Sequence, residues 1–190
     1  MRRLFFSILS IALLGAGPAQ ARQCRGVDMP DRLDIDGKQL QLNGMGLREA
    51  TLLNIDVYVA GLYVEQRSRD GKKIAGSEST KQVKLVLLRD VSHQDLSEQL
   101  GTYFRYAAGR DYDKLKARFE RLSSWLPTLH AGDTFSVTYR PGEGLDVRHG
   151  KRKLGTIPGA DFARAIFSIW LGDKPPNEGL KQGMLGGSCG

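Results

Sequence analysis

Arg48 is the side chain in this sequence best equipped for chemistry. It closes the run Leu42-Asn43-Gly44-Met45-Gly46-Leu47-Arg48, which leads on to Val57-Tyr58-Val59-Ala60-Gly61-Leu62-Tyr63-Val64. A guanidinium stays charged at any working pH, and its planar fork of donors matches a carboxylate or a phenolate. Two glycines one residue apart let the backbone turn tightly where a Cβ would clash. The β-branched and aromatic run behind them reads as strand. The expectation is therefore a glycine turn that holds a forked cation at the mouth of a sheet. The plainer alternative is a surface arginine beside a hairpin turn.

Other routes to chemistry are thin. His93, His130 and His149 are far apart and show no metal-ligand spacing, so no metal is expected. No serine sits in a nucleophile elbow. Gly44-x-Gly46 lacks the third glycine and the strand-to-helix setting of a dinucleotide site, and no cofactor is expected. A tyrosine, Tyr112, follows Gly109-Arg110-Asp111 at the start of a predicted helix. Cys24 and Cys189 match neither a Cys-x-x-Cys redox motif nor a metal cluster. In an oxidising compartment they are a natural disulfide joining the chain ends; otherwise they are free thiols on two tails.

The elements that must position these residues follow from pattern. Ile35 to Leu42 reads as a hairpin around Asp36-Gly37, running into the glycine turn. Thr51 to Glu65 is strand-like, and Gln66 to Lys81 is a loop or a poorly formed short helix. Gln82 to Leu88 is an apolar strand read as buried on both faces. Ser92 with Asp95 three residues on is a capping signature, followed by Leu96, Leu100, Tyr103, Phe104 and Ala107 at helical spacing. Leu115, Phe119, Leu122 and Leu126 form a second helical stripe. Thr134 to Arg140, Leu145 to Arg148 and Lys153 to Ile157 read as three short strands. A helix carrying Phe162, Ile166, Ile169 and Trp170 comes next, then a last short helix from about Asn177 to Met184. The sum is an α+β fold, with an antiparallel sheet of early and late strands and helices on one side.

The ends and the charge set further bounds. Arg2 and Arg3 precede an apolar stretch from Leu4 to Gly17, and Ala19-Gln20-Ala21 is a small-x-small cleavage site. Residues 1–21 are thus expected to be a signal peptide, and 22–190 a single exported domain, periplasmic or secreted. No later stretch is long and apolar enough to span a bilayer, so no transmembrane segment is expected after cleavage. The net charge of +7 falls to +5 without Arg2 and Arg3. Its one dense patch is Arg148, His149, Lys151, Arg152 and Lys153, read as a solvated hairpin tip, with an anionic membrane surface or acidic partner as the sharper alternative. No nucleic-acid module is visible.

A Gly-x-Gly-x-Arg run entering a strand that ends in Gly-x-Tyr resembles the start of the chalcone isomerase superfamily. Over roughly residues 33 to 186 the chain is similar to its bacterial, exported branch. The resemblance implies a chalcone-isomerase-like open-faced β-sandwich, a large antiparallel sheet backed by helices with a ligand cleft between them. It implies that Arg48 and Tyr112 correspond to the family's anion-binding guanidinium and active-site tyrosine. The threonine, asparagine and late hydroxyl of the plant isomerases fall on Tyr58, Phe119 and Ile169, with Ser168 next to the last. Phe119 cannot donate a hydrogen bond, so the cleft keeps its anion clamp and becomes more apolar. That combination resembles the fatty-acid-binding members of the superfamily.

The function the resemblance implies is binding of a small apolar anion, fatty acid or phenolic-like, without efficient catalysis. Candidate walls are Val57, Val59, Leu85, Leu87, Tyr103, Phe104, Phe119, Phe162, Ile166 and Trp170. One alternative is an isomerase, an intramolecular lyase acting on an enone or chalcone-like substrate. Another is an interaction or assembly protein with a filled cleft. The ligand, the pathway and the oligomeric state are not legible.

Overall fold

The computed structural model describes residues 21–50 and 55–189. Residues 1–20 of the expected signal peptide lie outside it, as do residues 51–54 of the strand expected from Thr51. The chain enters through a two-stranded hairpin, β1 (Ala21–Cys24) and β2 (Val27–Pro30), around Arg25 and Gly26 in the left-handed region. Then come β3 (Arg32–Ile35), β4 (Lys38–Ala50) and β5 (Ile55–Val64). Asp36 and Gly37 join β3 to β4 with φ of 53° and 79°, the backbone of a tight two-residue hairpin. A six-residue helix α1 (Gly71–Gly76) precedes β6 (Lys81–Leu87); Asp70 caps it by accepting from the Lys73 N–H at 3.0 Å.

Two helices separate β6 from the later strands. In α2 (His93–Ala108) Ser92 accepts from the Asp95 N–H at 3.1 Å, the cap the sequence announces, and Gly109 closes it with φ of 52°. A 3-10 turn at Gly109–Asp111 leads into α3 (Tyr112–Ser123). The strands β7 (Thr134–Arg140), β8 (Gly144–His149) and β9 (Arg152–Ile157) follow, then α4 (Ala160–Leu171) and α5 (Glu178–Met184). Strands β3 to β9 form one antiparallel sheet of seven, in spatial order equal to chain order. The helices cover one face. This is the expected α+β layout, and the β1–β2 hairpin is an addition to it.

The glycine turn is not a turn. β4 runs unbroken from Lys38 to Ala50, and Gly44, Gly46 and Arg48 sit two residues apart on the helix-facing side of it. Their use is close approach. A Cβ on Gly44 would lie 2.1 Å from the Gly183 carbonyl oxygen, and one on Gly46 would lie 2.0 Å from that of Leu180. So α5 lies backbone against backbone on β4. Gly61 serves the opposite face, where a Cβ would meet the Met29 sulfur at 2.2 Å. There Met29 packs with Leu40, Leu42, Leu47, Val59 and Tyr63 in a second apolar cluster under the β1–β2 hairpin.

β6 alternates buried and half-buried residues along its length, so it is enclosed on one face, not the two expected. Its neighbours β5 and β7 share that inner row, where Leu62, Val83 and Val137 meet the buried side of α4. The basic hairpin tip is partly neutralised from within. Asp146, 1% exposed on β8, takes Arg148 at 2.8 Å and Lys153 at 2.9 Å, and His149 contacts Asp133 at 2.9 Å. Cys24 and Cys189 are joined in a disulfide, with Cα atoms 5.9 Å apart.

Candidate ligand-binding cavity

Arg48 is the third residue of the bare row on β4, just beyond the reach of α5. Its cross-strand partner on β5 is Tyr58, and the partner of Tyr58 on β6 is Leu87. Directly opposed residues project to the same face, so these three form a line across the sheet beneath the helices. The register slips immediately after Arg48, because Glu49 pairs with Asp56 and Val57 is the extra residue. Such a bulge re-aims neighbouring side chains. Here both Val57 and Tyr58 reach the same cavity.

That cavity has a floor of Arg48, Val57, Tyr58, Leu85 and Leu87. Its roof is Leu96, Gln99, Leu100 and Tyr103 of α2 with Ile169 and Trp170 of α4. The Val91–Leu129 bridge and Pro176 close its ends. It encloses about 60 Å³ open to water-sized groups, room for roughly four to six waters. Spacing explains the roof. Positions 96, 99, 100 and 103 recur on one side of a 3.6-residue helix, yet on α2 only Phe104 and Ala108 are fully buried. α4 by contrast buries eight of its twelve residues. The inward face of α2 over its first three turns thus covers a space where α4 covers packed core.

The polar groups of the cavity gather at the Arg48 end. Arg48 is only 8% exposed and donates from Nη1 to the Glu49 carbonyl. The nearby carboxylates of Glu49 and Asp56 are both engaged by Arg25, at 3.8 and 3.4 Å. Among the described residues no acidic side chain pairs with Arg48. A charge removed from water without a partner is costly unless something answers it. Tyr58 accepts a hydrogen bond from Trp170 Nε1 at 3.1 Å. Burial pushes its hydroxyl up to about 12, and the Trp170 bond and the Arg48 charge pull the other way without prevailing. At neutral pH the phenol keeps its proton and can donate it.

Of the five residues singled out for a ligand, Arg48 and Tyr58 come together; Tyr112, Phe119 and Ser168 stand elsewhere. Tyr112 packs beneath Arg105, whose guanidinium lies 4.4 Å from the ring centre and donates to its hydroxyl at 3.2 Å. The ring of the buried Phe104 lies tilted against Tyr112, with centres 6.1 Å apart. Phe119 stacks on Phe104 with ring centres 4.4 Å apart, inside the core. Ser168 opens onto a separate groove with Arg164, Lys72 and Tyr106. The reason is helical phase. Ile169 and Trp170 face the cavity, and a residue one position earlier on a helix points about 100° away.

The tyrosine that joins Arg48 and Tyr58 in the cavity is Tyr103. The sequence placed it in the apolar wall, although its hydroxyl and the amide of Gln99 make this end of α2 polar. Gln99 and Tyr103 at i and i+4 on the Leu96–Leu100 face are the signal that could have found them. Among the described residues no group of three or more His, Cys, Asp or Glu is placed to hold a metal ion. No helix among them is long and apolar enough to cross a membrane.

Comparison with known proteins adds a family. A family model described as chalcone isomerase-like matches residues 21–186. Fatty-acid-binding protein 1 of Arabidopsis thaliana is 23% identical over 180 residues, an alignment covering 78% of this chain and 64% of that protein. This chain therefore spans less than two thirds of the curated relative's length. The crystal structure of an Arabidopsis thaliana fatty-acid binding protein superposes with a TM-score of 0.70 at 18% identity, covering 87% of this chain and 96% of the other. The fold is common to both.

Proposed function

Because the chain belongs to the chalcone isomerase-like family, we propose that it binds a small apolar acid, a fatty acid or a phenolic-like anion, between its sheet and its helices. Binding proceeds without efficient catalysis. The observation that carries this reading is the buried Arg48 guanidinium, with no acidic partner among the described residues, facing a largely apolar cavity beside a protonated Tyr58. A carboxylate there would meet a charge-assisted donor and a neutral one, which fixes its orientation. Its apolar body would lie against Leu85, Leu87, Leu96 and Leu100, gaining about 0.8 kcal/mol per CH₂ buried. A compact acid fits the space as it stands. A longer acyl chain requires α2 to lift.

The fatty-acid-binding relatives support the ligand class. The cleavage-site pattern before Arg22 and the Cys24–Cys189 disulfide support export, since disulfides persist in oxidising compartments. Calorimetric titration with saturated fatty acids, on the wild type and on Arg48→Ala, tests the binding. Loss of one charge-assisted hydrogen bond should weaken the variant by about 10- to 100-fold. Equal affinity in both would sink the reading. A chalcone-like enone belongs in the same series, because turnover of it would favour the isomerase alternative.

A further inference from the structure

The bond between Trp170 and Tyr58 has only one possible direction. An indole N–H donates and cannot accept, so at 3.1 Å it occupies a lone pair of the Tyr58 oxygen and leaves the phenol's own hydrogen unused. That hydrogen has no acceptor among the described residues. It cannot point back at Trp170. The remaining neighbours of the hydroxyl that carry charge or titrate are Arg48 from β4 and Tyr103 from α2. Leu87 from β6 adds neither, and α4 presents the apolar Ile169 beside Trp170. Trp170 is itself 3% exposed and held in the α4 core, so the donor does not swing.

We propose that Trp170 is a positioning residue, which turns the Tyr58 hydroxyl so that its proton and the Arg48 guanidinium converge on one acceptor in the cavity. This deepens the acid-binding reading and rests on it. Two convergent donors select a group that only accepts. An ionised carboxylate qualifies, with two acceptor oxygens and no proton. An ester offers one weak carbonyl, and an alcohol a single neutral oxygen, where a carboxylate offers two charged acceptor oxygens to the two donors. The site therefore discriminates by headgroup, while the leucines around it read only the apolar body.

The experiment uses octanoate and methyl octanoate on the wild type, Trp170→Phe, Tyr58→Phe and the double variant. Phenylalanine keeps an aromatic ring in place of the indole and removes its N–H, and the ester reports any effect of the lost volume. Trp170→Phe should weaken octanoate by about 3- to 10-fold, the range of one neutral hydrogen bond, and leave the ester unchanged. The double variant should bind octanoate as Tyr58→Phe does, since the two residues act through one hydroxyl. Equal losses for acid and ester, or losses that multiply in the double variant, would overturn the positioning role. Failure of the folded wild type to bind any saturated acid would sink the acid-binding reading and take this inference with it. Carbon-13 NMR titration of the Tyr58 phenol in the free protein is a separate readout. Loss of the indole donor should move that titration further toward alkaline pH, and an unmoved titration would overturn the proposal without any ligand.

Discussion

Two cations are buried among the described residues, and their surroundings differ. Arg48 looks into a cavity. Lys81, 1% exposed at the head of β6, is enclosed by the chain itself. Its ammonium donates to the Ser77 carbonyl at 2.5 Å and lies 4.7 Å from the Tyr139 ring centre and 5.3 Å from that of Phe167. An arginine cannot shed its proton, but a lysine can. Burial holds Lys81 down to about 8, against the opposing pull of Glu78. Between about pH 8 and 10.5 the unfolded chain therefore binds more protons than the native one, and stability should rise with pH across that window. Tyr58 and Tyr139, both pushed up to about 12, act in the other direction only above about pH 10. Urea midpoints at pH 7.5 and 9.5 should differ in the wild type and coincide in Lys81→Met. The cavity's arginine is legible in the sequence because its type and its alternation with two glycines are local. Spacing along the chain does not reveal that Tyr112 packs against Arg105 and Phe104, outside the lining of the cavity.

Among the elements, α5 and β4 are the pair whose contact the sequence states most plainly, once the glycines are read as strand. Alternation of Gly44, Gly46 and Arg48 is a period of two, the period of a strand and not of a turn. A methyl group at Gly46 would have to displace the α5 backbone at Leu180. Gly46→Ala should cost about 3 kcal/mol or more, the upper end of overpacking penalties, because the obstacle is backbone. Chemical denaturation would measure it, and a cost within about 0.5 kcal/mol would mean that α5 floats free of β4. The stripes of α2, α3 and α4 are legible from spacing, and so are the later strands. The β1–β2 hairpin is not, since two four-residue strands around Arg25-Gly26 carry too little pattern. α2 hides a subtler point. Its stripe of Leu96, Leu100 and Tyr103 has the spacing of core, and only the packing shows that its inward face covers a cavity.

At the scale of the molecule, the sheet is closed on one face by the helices and, over β3 to β5, on the other by the first hairpin. The disulfide Cys24–Cys189 ties that hairpin to the tail beyond α5. Its sequence separation of 165 residues makes it a long-loop crosslink, for which loop-closure entropy allows up to about 5 kcal/mol. Reduction should lower the melting temperature by about 5 to 15 °C. A Cys24→Ser/Cys189→Ser variant should melt at the reduced value and ignore the reductant. A melting temperature indifferent to reduction in the wild type would show that the ends are held by packing alone. The α+β class is legible at this scale because sheet order repeats chain order, so each strand finds its partner in the next one along.

β4 also packs against elements far from it in the chain. Its outer side waits for the first residues to fold back, and its glycine side waits for residues 178–184, near the end of the chain. Polypeptides are made from the N-terminus onward. Until α5 and Cys189 have been made, the strand that carries Arg48 is bare on its glycine face and Cys24 lacks its disulfide partner. The backbone contact of α5 with Gly44 and Gly46 is therefore the step that completes the packing of this strand.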